Sequence, residues 1–261
     1  DTLHQMIKSL SVEKELFVMF SYSEYRNIIK LIKRSLPIVD FAEAPYMENF
    51  CVIRHDIEFS IDRAAKLAEI ENALDISTTY TVQLRNNTYN ALSEKNIEQI
   101  HYIKSLGHCI ALHQNPPIMP VKQLKDYVLK DIETLEHYYG FSIDRYAFHR
   151  PKAEQLKMYL DIPGKINCYG SEYFQYYEDE KPSELNVTYL ADSNHQWKYG
   201  HPYELDFSVV KKLQLNIHPF SWTQKGYPSS GNFLSLIEER KKEMLYDMDS
   251  ENKAFPKELL I

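Results

Sequence analysis

The feature that most restricts the fold is a repeated hand-over from a short β-branched or aromatic run to a stretch with helical period. "FCVIRH" (50–55) leads into residues 60–73, where Ala64, Leu67, Ala68 and Glu71 recur at helical spacing behind Ser60, a natural cap. "STTYTVQL" (77–84) leads into residues 93–106, with Ser93 at the start and Gly107 at the end. "HCIALH" (108–113) is followed, after Pro116, Pro117 and Pro120, by a long helical period over 121–139 that Gly140 closes. "DRYAFH" (144–149), "KINCYG" (165–170), "NVTYLA" (186–191) and "KLQLNIH" (212–218) are further strand candidates, and residues 233–246 form a last helix. Strands separated by helices imply βαβ units and a mostly parallel sheet. Seven or so strands in 261 residues suit an α/β fold of the distorted (β/α)7-barrel type, a single domain. Ahead of it, "SYSEYRNIIKLIKRSL" has Ser23 as a cap and reads as an amphipathic helix ending before Pro37. The organisation expected is an N-terminal helical segment over 1–45 packed on a barrel over 46–261.

Several strand candidates end in residues that bind metals or move protons. The first ends in Asp56 and Glu58, the third in His113, the fourth in His149 and Arg150, and later ones in Asp192 and His218. Parallel strands of a barrel bring their C-terminal ends to one rim, so these side chains are expected to converge although they are far apart in sequence. Each has a plainer explanation: Asp56 and Glu58 sit where the next helix's dipole favours negative charge, and His113 could serve a turn. Taken together such endings are harder to explain, because a buried charge without a partner costs several kcal/mol. Carboxylates with imidazoles suit zinc or a similar divalent ion with one open position, and metal-assisted hydrolysis follows as the expected chemistry.

Other classes drop out. With 37 acidic and 30 basic residues interspersed, net charge −7, there is no basic footprint for nucleic acid. Seven glycines and no G-x-G-x-x-G or G-x-x-x-x-G-K pattern leave no phosphate-cradling loop. No apolar run approaches the ~20 residues of a membrane span. Cys51, Cys109 and Cys168 are odd in number and widely spaced, which suggests unpaired buried thiols, a reducing compartment and a cytoplasmic location. The Tyr-rich "YGSEYFQYYEDE" (169–180) reads first as a partly buried loop and second as a sugar-stacking wall.

In their order, "RHDIEFSIDRAAKLAEIE", "STTYTVQL", "GHCIALH", "FHRP", "ADSNHQW" and "LNIHPFSW" resemble the polysaccharide deacetylase family, the NodB-like carbohydrate esterases, in the subgroup linked to bacterial surface-polysaccharide gene clusters. The resemblance spans about residues 50–222. It implies a metal-dependent N-deacetylase acting on an amino sugar or polysaccharide. Under it Asp56 is the general base, Glu58 and His113 are metal ligands, Arg150 orients the base, Asp192 and Trp197 belong to the fourth motif, and His218 is the general acid. Trp197 and Trp222 are the expected sugar-binding residues. Two departures stand out: Glu58 occupies a position usually held by Asp, and Pro117 stands where the second metal histidine is usual, so His149 is expected to supply the missing imidazole. The competing reading is a catalytically silent carbohydrate-binding protein on the same barrel. An unrelated barrel enzyme such as a sugar isomerase explains the alternation but not the ordered motifs.

Overall fold

The computed structural model describes residues 19–176 and 186–260. The chain forms two compact units, one of residues 26–220 and one of residues 1–25 with 221–261. All seven strands lie in the first. They are β1 (Phe50–Ile57), β2 (Thr79–Val82), β3 (Cys109–Gln114), β4 (Arg145–Phe148), β5 (Ile166–Asn167), β6 (Thr188–Ala191) and β7 (Lys212–Ile217). Helix α1 (Tyr22–Ser35) precedes them; α2 (Ile61–Asn72), α3 (Glu94–Ser105), α4 (Val121–Tyr139) and the short α5 (Ala153–Lys157) connect them, and α6 (Ser229–Glu251) follows. The sheet runs β5-β4-β3-β2-β1-β7-β6 with every neighbouring pair parallel, the distorted (β/α)7 barrel expected from the alternation. Among the described residues no ladder joins β5 to β6, so the barrel is open between them.

Strand β1 is an interior strand, between β2 and β7, and is buried along its whole length, which selects its apolar start. Its alternation sends Arg54 and Asp56 to one face and His55 to the other. On the outer side His55 stacks on Tyr80 at 4.2 Å and its Nε2 lies 2.8 Å from Glu71 on α2. Glu71 is fully buried and also accepts from Thr78 (2.8 Å) and Tyr80 (2.7 Å), so its charge is dispersed over several donors. His108 joins the same layer, its Nε2 3.0 Å from the Ala68 carbonyl. Its Nδ1 lies 3.2 Å from the Thr78 hydroxyl, so the ring serves packing between α2 and the start of β2.

Local rules explain where elements start and stop. Ser60 caps α2 by accepting from the Arg63 amide, and Gly140 ends α4 with φ 70°, a left-handed conformation that favours glycine. Ser21, and not Ser23, caps α1: its hydroxyl accepts from the Glu24 amide at 3.1 Å. Ser93 holds the cap position of α3 but turns its hydroxyl to the Asn90 carbonyl. The fifth strand is only two residues long because Asn167 bends the chain. Its side chain accepts from the Tyr169 amide and its carbonyl from the Gly170 amide. Helix α5, at five residues, is too short to show a hydrophobic period. Cys51, Cys109 and Cys168 are all free thiols, and no described helix is long and apolar enough to cross a membrane.

The N-terminal ends of the strands carry their own ion pair. Arg145, at the start of β4, is buried and forks onto Asp40 at 2.5 and 3.0 Å, with Thr79 as a further acceptor. Burial raises the Asp40 pKa, but Arg145 outweighs it and holds the carboxyl below its usual value. A depressed folded-state pKa adds stability above the unfolded value, about 3.9, that is lost as pH falls through the folded one. Asp40→Asn is therefore expected to cost about 1–2 kcal/mol near pH 7, the gap to wild type narrowing below about pH 4. Urea unfolding of both proteins across that range checks it.

Candidate active site

Because the strands are parallel, their C-terminal ends meet at one rim, and the polar endings come together there. Asp56 lies near the end of β1 and Glu58 just past it. His113 is on β3, His149 follows β4, Asp192 follows β6, and Asn216 and His218 are at the end of β7. They line one cavity of about 330 Å³, apart from Asp192, which stands behind His218.

Asp56 is held by a dense set of donors. Arg54 forks onto it, Nε to Oδ1 at 2.9 Å and Nη2 to Oδ2 at 3.1 Å; Thr81 donates to Oδ1 and Asn216 to Oδ2, both at 2.9 Å. Arg54 is itself fixed by Gln214 (3.1 Å), by the Tyr169 hydroxyl (2.8 Å) and by the face of the Tyr169 ring. Burial alone would raise the Asp56 pKa. The Arg54 guanidinium, with His113 and His218, reverses this and holds the carboxyl well below the usual carboxylate range. Asp56 is thus a permanent carboxylate whose orientation is fixed. The arginine that orients it is Arg54, on its own strand, rather than Arg150. Arg150 lies just past β4, exposed, at φ 48°, and makes no hydrogen bond or ion pair with the described residues.

Glu58, His113 and His149 each offer a donor atom, and the three lie within 4.8 Å of one another. His113 Nε2 is 3.1 Å from His149 Nδ1, which is 3.3 Å from Glu58 Oε1. Zinc bonds of about 2.0–2.2 Å in a tetrahedron set ligand atoms roughly 3.3 Å apart, so these spacings fit a small divalent ion. The protonation states fit too. Burial outweighs the Asp56 carboxylate and, with His149 and Arg54 beside it, pushes His113 down to about 4, leaving a neutral imidazole; Asp56, 3.6 Å from Nδ1, favours the proton on that side. Burial opposes ionisation of Glu58, yet His149 and His218 keep its pKa below the ordinary value.

His218 is the opposite case. Burial would lower its pKa, but Asp192, buried and 2.7 Å from Nδ1, pushes it up to about 9, with Asp56 and Glu58 adding to the effect. Asp192 also accepts from the His218 amide at 2.8 Å, which sets the ring's direction. Its Nε2 faces the site, 4.0 Å from Asp56 and 3.9 Å from Glu58. The rim thus holds a fixed carboxylate, the neutral imidazole of His113 beside His149 and a second carboxylate, and an imidazolium.

Neither tryptophan lines the cavity. Trp222 is fully buried in the second unit, its indole edge-on to Phe20 and Tyr25 at 5.2 and 5.1 Å, so it is a packing residue there. Trp197 is half-buried with its ring 5.2 Å from that of His201. The aromatic wall is instead Phe148, Tyr169, Phe174, Tyr176, Tyr189 and Tyr199. Three of these come from the Tyr-rich stretch, whose residues 177–180 lie outside the described residues. Arg54, Asn216 and Tyr189 are contacts that motif reading passed over. Arg54 carried a signal, since residues two apart on a strand share a face.

No protein-family profile matches the chain, and no curated protein matches it. Solved structures do resemble it, at low identity. One is a CE4 family pseudoenzyme from Bacillus anthracis (10% identity, 76% of this chain and 62% of that one, TM-score 0.44). Another is the chitin deacetylase of the fungal pathogen Colletotrichum lindemuthianum (15%, 73% and 81%, TM-score 0.39). A third is a family 4 acetyl xylan esterase from Clostridium thermocellum in complex with a cobalt ion (10%, 74% and 84%, TM-score 0.39). This chain spans less than two thirds of the Bacillus anthracis protein's length.

The two arginines are expected to separate on mutation. Arg54→Gln leaves Asp56 buried without its cation and should cost about 3 kcal/mol or more, whereas Arg150→Gln should change stability by less than about 0.5 kcal/mol. Chemical denaturation of the two variants measures both.

Proposed function

We propose that the protein is a metal-dependent hydrolase that removes an N-acyl group, acetyl in the simplest case, from an amino sugar in cell-surface polysaccharide metabolism. The observation that carries this reading is the convergence of Glu58, His113 and His149 beside the fixed carboxylate Asp56 and the charged His218. Glu58, His113 and His149 would hold the ion, zinc or a chemical relative, with a position open toward the cavity. When bound, such an ion acidifies water and polarises a carbonyl.

The chain's own residues supply the rest. Asp56, kept ionised by Arg54, accepts a proton from the attacking water. Thr81 and Asn216 hold its two oxygens so that neither can rotate away. His218, charged through Asp192, returns a proton to the departing amine, which cannot leave as an anion near neutral pH. The aromatic wall offers flat apolar faces for sugar rings and excludes water from the floor.

The competing reading, a silent carbohydrate-binding protein, rests on Pro117 and Glu58. The position of His149 favours the enzyme, because it gives Glu58 and His113 a third donor atom within 4.8 Å.

Purified without a His-tag, wild type is expected to carry one divalent ion per chain by elemental analysis, and His149→Ala to lose it. Full occupancy in the variant rejects the ligand set. Acetate release from N-acetylated amino sugars should stop with chelator and fall by at least 10³-fold in Asp56→Asn. Asp192→Asn, which removes the partner that keeps His218 charged, should lower kcat by about 10²-fold with the ion retained. Release that survives chelation and Asp56→Asn counts against the proposal.

A further inference from the structure

Two cations stand at the mouth of the cavity, and the machinery above uses neither. Arg150 follows β4 on one side and Lys198 lies on the segment after β6 on the other; both are exposed and both line the cavity. Among the described residues neither has a carboxylate partner. Arg150 has no polar contact, and the Lys198 ammonium is 5.4 Å from the centre of the Tyr199 ring. On a chain of net charge −7, two cations with no carboxylate partner among the described residues leave a local positive potential on the cavity rim.

The backbone beneath them is not that of an ordinary surface loop. Arg150 and Asn194, on the two loops that form this part of the rim, both have left-handed backbone, φ 48° and 57°. For a residue with a side chain this costs on the order of 1 kcal/mol, and such strain gathers where a loop must present a group to a ligand. The cavity is polarised as well. On its floor the carboxylates of Asp56 and Glu58 are offset by Arg54 and the charged His218, while its mouth carries the cations Arg150 and Lys198, which attract an anion. A ligand matched to that field is neutral where it meets the floor and negative where it meets the rim.

Building on the amide-hydrolase reading, we infer that the substrate is an amino sugar bearing an anionic substituent, a phosphate ester or a carboxylate, which Arg150 and Lys198 hold at the rim while the acyl group reaches the floor. The guanidinium offers a planar fork suited to either oxyanion and the ammonium a point charge, so the pair sets substrate choice and not the chemistry.

The test is equilibrium binding by calorimetry at low and high salt. The ligands are N-acetylglucosamine, its 1-phosphate and an N-acetylated hexosaminuronic acid, with inorganic phosphate alone as a further probe; the proteins are wild type and Arg150→Gln/Lys198→Gln. Wild type should bind at least one charged sugar about tenfold or more tighter than the neutral one at low salt, and the advantage should shrink as salt rises. In the double variant the charged-to-neutral ratio should fall toward one. Whether the phosphate or the uronate shows the larger ratio names the anion. Equal binding of neutral and charged sugars, a preference that persists in the double variant, or failure of every charged sugar to bind overturns the inference. Acetate release measured on the same sugars keeps the two readings apart. A charge preference without release leaves the anion site standing and removes the hydrolase reading, and equal release from all three sugars without a preference does the reverse.

Discussion

Arg54 and Asp56 are two residues apart on β1, so the strand's alternation turns both side chains into the barrel, where neither charge could survive alone. Each would cost several kcal/mol unpaired. Together they form a two-pronged pair at 2.9 and 3.1 Å, and their remaining hydrogen-bonding capacity is taken up by Thr81, Asn216, Gln214 and Tyr169. These partners come from β2, β7 and the segment after β5, so one ion pair ties the sheet together across its centre. It also sets the field in which the other ionisable groups at the rim sit.

That field separates two histidines of the same intrinsic chemistry. His113 is buried deeply enough to outweigh the Asp56 carboxylate, and stays neutral with a lone pair available. His218 is equally buried but backed by Asp192, and stays charged. A metal ligand needs the first state and a proton donor the second. The division of roles proposed for them comes from what stands behind each ring.

Much of the barrel could be read in advance, because both periods that define it are local. Seven apolar runs with β-branched or aromatic residues became seven strands, and the stops at Gly107 and Gly140 are local backbone requirements. The elements that escaped were those set by side-chain capture or by too short a run: the truncation of β5 by Asn167, the five residues of α5, and the cap of α1 at Ser21. At the site, strand-end position was enough to gather Asp56, Glu58, His113, His149 and His218 into one set. It was not enough to choose between two arginines near the same rim, or to tell a tryptophan in a cavity wall from one in a packed interior.

The sequence by itself determined which residues stand at the C-terminal ends of parallel strands, because hydrophobic period locates strands and the right-handed βαβ connection leaves one end for their polar termini. Only the tertiary structure decided which of them touch. Contact across a barrel depends on strand order and register, with Arg54 facing Gln214 from 160 residues away, and neither is written in any local stretch of chain. The same reason assigns Arg54 to Asp56, leaves Arg150 at the mouth, and packs Trp222 against Phe20 and Tyr25.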